Sequence, residues 1–171
     1  MTACLVGEGA ELPKQAGRFL VLGFASRQLN DVQDRLLRET VLYRLHTGGR
    51  SIVPVMEIEA QFQEDSKRSI RRLSRADVRA LCKELNAGCA CYGSFAPEDA
   101  KKNDDPEIRK GMNYVCTLTL YRRSDDSFTE TKFTVAGRDS LYGFFTDCAA
   151  RIADAVGSAA GGGQQVSPSQ S

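Results

Sequence analysis

The sequence predicts an α/β domain: one mixed parallel and antiparallel sheet with helices packed on it, in the order β-α-β-α-β-β-β-α. Three observations predict it. Residues 74–95 (SRADVRALCKELNAGCACYGSF) read as an amphipathic helix that passes through a Gly-containing turn into a short apolar strand. Residues 18–24 (RFLVLGF) form a continuous apolar run, which suits a strand covered on both faces. Residues 113–121 and 128–135 flank a polar turn and read as an antiparallel hairpin.

At 171 residues the chain fits one domain. Its formal net charge of +1 argues against a whole-surface attraction to nucleic acid or to an anionic membrane. No apolar run approaches the ~18–20 residues needed to cross a bilayer. The expected organisation is a loose arm over 1–17, a folded domain over 18–157 and a Gly/Ser/Gln tail over 158–171. Within the arm, Met1-Thr2-Ala3-Cys4 places small residues directly before a cysteine, as at the cleavage site of a bacterial lipoprotein signal.

After the first strand, a long helix is expected over 26–46. Leu29, Val32, Leu36, Leu37, Val41 and Leu45 supply its core stripe, and Arg27, Asp31, Asp34, Arg38 and Arg44 its outer surface. Gly48-Gly49 closes it, and His46 suits the negative helix end. Residues 51–55 (SIVPV) read as a second strand that is at an edge or ends early, because Pro54 cannot donate to a ladder. A short helix over 56–64 turns Ile58 and Phe62 inward. In the central unit Val78, Leu81, Cys82 and Leu85 form one stripe, Ser74 and Asp77 make a capping box, and Gly88 supplies the left-handed stop. Leu141, Phe144, Phe145, Cys148, Ile152, Ala155 and Val156 mark a last helix, ended by Gly157.

This order resembles a family: the amino-terminal domain of TolB, with the related CsgG-like and penicillin-binding-protein-activator (LpoB-like) domains. The resemblance rests on FLVLGF, the long helix ending in Gly, SIVPV, the passage LCKELNAGCACYGSF, the hairpin with Thr117, Leu118 and Thr119, and the closing helix. It covers about residues 18–156. Cys89-Ala90-Cys91 stands where the family pattern has a small residue and an aliphatic pair. The resemblance implies a non-catalytic, periplasmic accessory protein of the envelope, often a lipoprotein, that binds another protein in wall synthesis, secretion or motility. It also implies Cys4 as the lipid site and the only tie to a membrane.

No catalytic constellation emerges from the residues. Cys89 and Cys91 have the wrong spacing for a redox pair and too few companions for zinc; His46 is the only histidine. Core packing is the expected role of the cysteines. No cofactor, metal or small-molecule substrate is expected, and the protein is read as no enzyme. Two segments stand out as binding candidates. One is basic: Lys67, Arg68, Arg71, Arg72, Arg75 and Arg79, of which the arginines share a face if the helix starts at Lys67. The other is the polar connection 97–111, with Lys101, Lys102, Asp104, Asp105, Glu107 and Arg109. The alternative reading is a nucleic-acid-binding module of anticodon-binding-like fold using the basic face. Intact-mass and amino-terminal peptide analysis of the native protein is expected to find a chain starting at acylated Cys4; an unmodified Met1 or Thr2 would remove the lipid anchor and point to the cytoplasm.

Overall fold

A computed structural model describes residues 17–63 and 69–160. The expectations for Cys4, Lys67, Arg68, the arm over 1–16 and the tail from 161 onward lie outside the described residues. Four strands, β1 (Arg18–Ala25), β2 (Ala87–Pro97), β3 (Asn113–Arg122) and β4 (Ser127–Ala136), form one sheet in the order β1-β2-β3-β4. β1 and β2 are parallel, and the other two pairs are antiparallel. Helices α1 (Asp31–Thr47) and α4 (Leu141–Ala160) cover one face. Helices α2 (Val55–Gln63) and α3 (Arg75–Glu84) cover the other, over β1 and β2. The expected mixed α/β architecture is therefore the one observed.

Strand alternation builds two cores, because successive side chains point to opposite faces. Val21, Phe24, Cys91, Phe95, Cys116 and Leu118 face α1 and α4, whereas Leu20, Leu22 and Ala90 face α2 and α3. The first core holds an aromatic chain: Phe24–Phe95, Phe95–Phe144 and Phe144–Tyr114 have ring centroids 5.6, 6.0 and 5.5 Å apart. These are tilted and edge-on contacts of the kind aromatic quadrupoles favour. Gly93 is needed inside β2, because a Cβ there would collide with the Thr117 carbonyl oxygen of β3.

The structure departs from the sequence reading at four elements. The second strand shrinks to one parallel bridge, Phe19 to Ile52, since Pro54 ends the pairing and α2 begins at Val55. Helix α1 starts at Asp31, not at residue 26, because Asn30 and Gln33 form a reciprocal capping box. Its inner face is Asp34, Leu37, Arg38, Val41, Leu42 and Leu45, while Val32 and Leu36 are exposed. The left-handed residue between α3 and β2 is Asn86 (φ 49°), and Gly88 lies within the strand. Gly157 does not stop α4, which continues to Ala160. The Ser74–Asp77 capping box at α3 is present as expected.

Cys82, Cys91, Cys116 and Cys148 are buried and unbridged, and Cys89 is half-buried. Burial pushes the Cys82 and Cys116 thiols up to about 12, and those of Cys91 and Cys148 upward as well. The folded state thus holds these protons more tightly than the unfolded chain. That contribution is complete below about pH 8.5 and is lost as pH rises through the folded values. Denaturant unfolding followed from about pH 8 to about pH 11 is expected to show stability falling above about pH 9. The slope should reach about 1.4 kcal/mol per pH unit for each fully buried thiol. Cys116→Ala should flatten that slope by one thiol; an unchanged slope would show that other groups carry it.

Candidate functional site

The upper end of the sheet, where β1 finishes, is built by a small set of polar side chains. The β1–β2 pairing shifts register between Val21 and Phe24, so the backbone there needs partners outside the ladder. Gly23 donates its N–H to the Ile70 carbonyl oxygen at 3.1 Å, and Phe24 donates to Asp34 Oδ1 at 2.7 Å. A Cβ on Gly23 would sit 2.6 Å from the Ile70 oxygen, so only glycine admits this approach. Asp34 Oδ2 accepts from Arg38 Nε at 3.2 Å, and both side chains are buried. Burial pushes the Asp34 carboxyl up, while the Phe24 N–H and the Arg38 and Arg71 guanidiniums pull it back down.

Arg71 closes the end of the strand. Its Nε donates to Phe24 O at 3.3 Å, its Nη2 to Ser26 O and Leu29 O at 2.7 Å each, and its Nη1 to Asp31 Oδ1 at 3.1 Å. The connection 97–111 is ordered by two polar side chains from below. Buried Gln28 donates to Asn103 O at 3.0 Å and Asp105 O at 2.8 Å. Tyr114 Oη accepts from the Arg109 N–H at 2.8 Å and donates to Glu107 O at 3.3 Å. A 3-10 turn over Ala100–Lys102 completes the connection.

The basic segment does not form one helical face, because α3 begins only at Arg75. Arg71 turns inward; Arg75 and Arg79 stack on the Phe128 ring at 4.8 and 5.0 Å, and Arg79 also pairs with Asp126 at 2.8 Å. Arg71 and Arg72 do meet the connection: with Ser26, Arg27, Phe95 and Asn103 they line an open cleft of about 500 Å³. Arg27 pairs with Asp104 of the connection at 2.8 Å. Asp105 pairs with Arg109 at 2.7 Å, and Lys101, Lys102 and Glu107 are exposed.

A second feature was hidden in the sequence. Val32, Leu36 and Tyr43 on α1 and Tyr142 on α4 are large apolar side chains left 68, 47, 71 and 76% exposed. Leu36, Tyr43, Leu141, Tyr142 and Phe145 line one groove between the two helices, with a volume of about 390 Å³. Val32 lies one turn above Leu36 on the same side. Glu39 and Thr40 line the same groove between Leu36 and Tyr43, and grouped exposed apolar side chains of this kind make the helical face a candidate interaction surface. The signal was present in α1, which carries more apolar residues than one stripe can bury: two rows run side by side, and the inner one includes Leu37, Val41 and Leu45.

No protein-family model matches the sequence, and no curated protein matches it. Solved structures do match the fold. Lipoprotein GNA1162 from Neisseria meningitidis aligns with TM-score 0.51 at 10% identity, over 86% of this chain and 99% of that one. The C-terminal domain of LpoB from Salmonella enterica aligns with TM-score 0.51 at 14% identity, over 74% and 87%. A PelC dodecamer from Paraburkholderia phytofirmans aligns with TM-score 0.50 at 16% identity, over 85% and 91%. The expected LpoB-like fold is thus the fold of this chain; at such identities the likeness is one of fold.

The Arg71 contacts can be measured. Arg71→Ala leaves three carbonyls at the end of β1 and in the 26–29 turn without their donor, and is expected to lower stability by about 3 kcal/mol in urea unfolding. Arg71→Lys should recover less than half, because an ammonium cannot reproduce the planar fork. Full recovery by Lys would show that charge alone is needed.

Proposed function

We propose that the protein is a non-enzymatic module of the cell envelope, periplasmic and lipid-anchored at Cys4, that binds another protein of a wall, secretion or motility assembly. The observation that carries the reading is the exposed stripe Val32–Leu36–Tyr43–Tyr142 over its groove. Its chemistry suits the apolar face of a partner helix or loop, with the two tyrosines as amphipathic anchors. The upper cleft extends the contact surface with exposed Arg72, Lys101 and Lys102, beside Asp104, Asp105, Glu107 and Arg109.

Two structures that share the fold support this reading. GNA1162 is a lipoprotein, and PelC is seen as a dodecamer, so the fold accommodates both a lipid anchor and extensive protein contact. The buried thiols, held protonated by desolvation, suit packing and not nucleophilic attack. No helix among the described residues is long and apolar enough to cross a membrane. The nucleic-acid alternative loses the single basic face it needs, since Arg71 turns into the end of β1 and the exposed Arg75 and Arg79 lie on the Phe128 ring, Arg79 paired with Asp126.

Photo-crosslinking groups placed at Tyr43 and Tyr142 in cells are expected to join the protein to a discrete envelope partner, and one at Lys132 on the opposite sheet face is not. Leu36→Asp should abolish both crosslinks while changing stability by only about 0.5 kcal/mol, as for other exposed positions. Equal labelling at Lys132, or crosslinks that survive Leu36→Asp, would sink the stripe as the docking surface.

A further inference from the structure

The lower end of the sheet carries a pocket apart from the proposed docking stripe. Here the starts of β1, β2 and β4 meet the end of β3, and the last turns of α4 pass over them. Phe19, Cys89, Leu120 and Val156 wall a pocket of about 180 Å³, with Arg50 and Arg122 beside it. The opening follows from small side chains. Cys89 lies between Phe19 of β1 and Arg122 of β3 in the pairing register, and α4 offers only Val156 and Ala159 above it. Elsewhere this face is filled by Phe24, Phe95, Phe144 and Tyr114.

The pocket is lined mainly by apolar surface, with hydroxyl residues Ser127 and Thr129 in its wall and the cationic Arg50 and Arg122 beside them. Arg122 shares its charge with Asp125 at 3.1 Å. Arg50 is half-buried and has no carboxylate partner among the described residues. Burial pushes the Cys89 thiol up; the Arg122 and Arg50 guanidiniums pull it partly back down, and Asp125 opposes them. Among the described residues one cation is therefore left without a carboxylate beside this cavity. The volume slightly exceeds that of a dry cavity that admits benzene (~150 Å³).

We propose that this pocket binds a short amphiphile: a single apolar chain of about six to eight carbons, seated against Phe19, Leu120 and Val156, with its carboxylate on Arg50. Apolar walls supply the affinity for the chain, and the unpaired guanidinium selects an anionic head over a neutral one. The site lies at the opposite end of the sheet from the upper cleft, so the two can be occupied together.

Cys89 is a built-in reporter. Its alkylation by N-ethylmaleimide, read by peptide mass spectrometry so that Cys4 is scored separately, measures occupancy of the pocket in the full chain. Octanoate is expected to slow alkylation several-fold, octanol less, and acetate not at all. Arg50→Gln should weaken octanoate protection by about tenfold and leave octanol unchanged. Ala159→Leu should fill the cavity and abolish protection by both, with an unaltered melting temperature showing that the fold is intact. Equal protection by octanol and octanoate would remove the carboxylate from the proposal. Absence of protection by millimolar octanoate would overturn it outright. Protection that appears only in a Leu5→Asp, Val6→Asp chain would show that the amino-terminal arm occupies the pocket, and would overturn binding of a free amphiphile.

Discussion

The Asp34 carboxylate is the contact on which the architecture turns. Its Oδ1 accepts the Phe24 N–H at the end of the parallel strand, and its Oδ2 holds Arg38 one turn further along the same helix. A buried carboxylate is tolerated only where it is paired and hydrogen-bonded, and removing one member of such a pair leaves a bare charge in the interior. This contact therefore does more than join two elements. It fixes the rotation of α1 about its own axis, because Asp34 and Arg38 must both face β1.

That rotation decides which apolar residues of α1 are buried. With Asp34, Leu37, Arg38, Val41, Leu42 and Leu45 inward, Val32, Leu36 and Tyr43 have to face outward, and they reach solvent beside Tyr142 of α4. The exposed stripe is thus a consequence of burying an ion pair where a simpler helix would bury aliphatic side chains. A helix that spends two of its inner positions, Asp34 and Arg38, on a polar anchor leaves apolar residues for the surface. The proposed docking face and the anchor of the fold are coupled through one helix.

The two ends of the sheet solve opposite problems. At the upper end the backbone of β1 leaves its ladder, and polar groups from other segments close the gap: Ile70 O, Asp34 and Arg71. At the lower end the β1–β2 pairing also shifts register, between Arg18 and Phe19, and Cys89, Val156 and Ala159 leave room between the sheet and α4. Gly17 and Gly88 also approach each other closely there: a Cβ on either would fall within 3.0 Å of the other's backbone. One end is rich in hydrogen bonds around an open cleft; the other holds a mainly apolar pocket beside Arg50 and Arg122.

Much of the fold was legible in the sequence because its signals are local. The apolar run of β1, the stripe and Ser74–Asp77 box of α3, and the alternation of β3 follow from periodicity and capping within a few residues. The Asn30–Gln33 box that starts α1 was equally local and marks the true boundary. Other features depend on partners far along the chain. Asp34 and Arg38 read as surface charges until Phe24 supplies the N–H that makes burial tolerable. Arg71 reads as one of a basic run until three carbonyls of residues 24–29 surround its guanidinium. The connection 97–111 reads as loose until Gln28 and Tyr114 reach its backbone. Sequence alone determined most of the segments that become strands and helices, residues 51–55 excepted, since propensity and periodicity act over a few neighbouring residues. Tertiary structure alone decided which charges are buried, which apolar side chains stay exposed and where the sheet opens, since each of those is set by groups that only folding brings together.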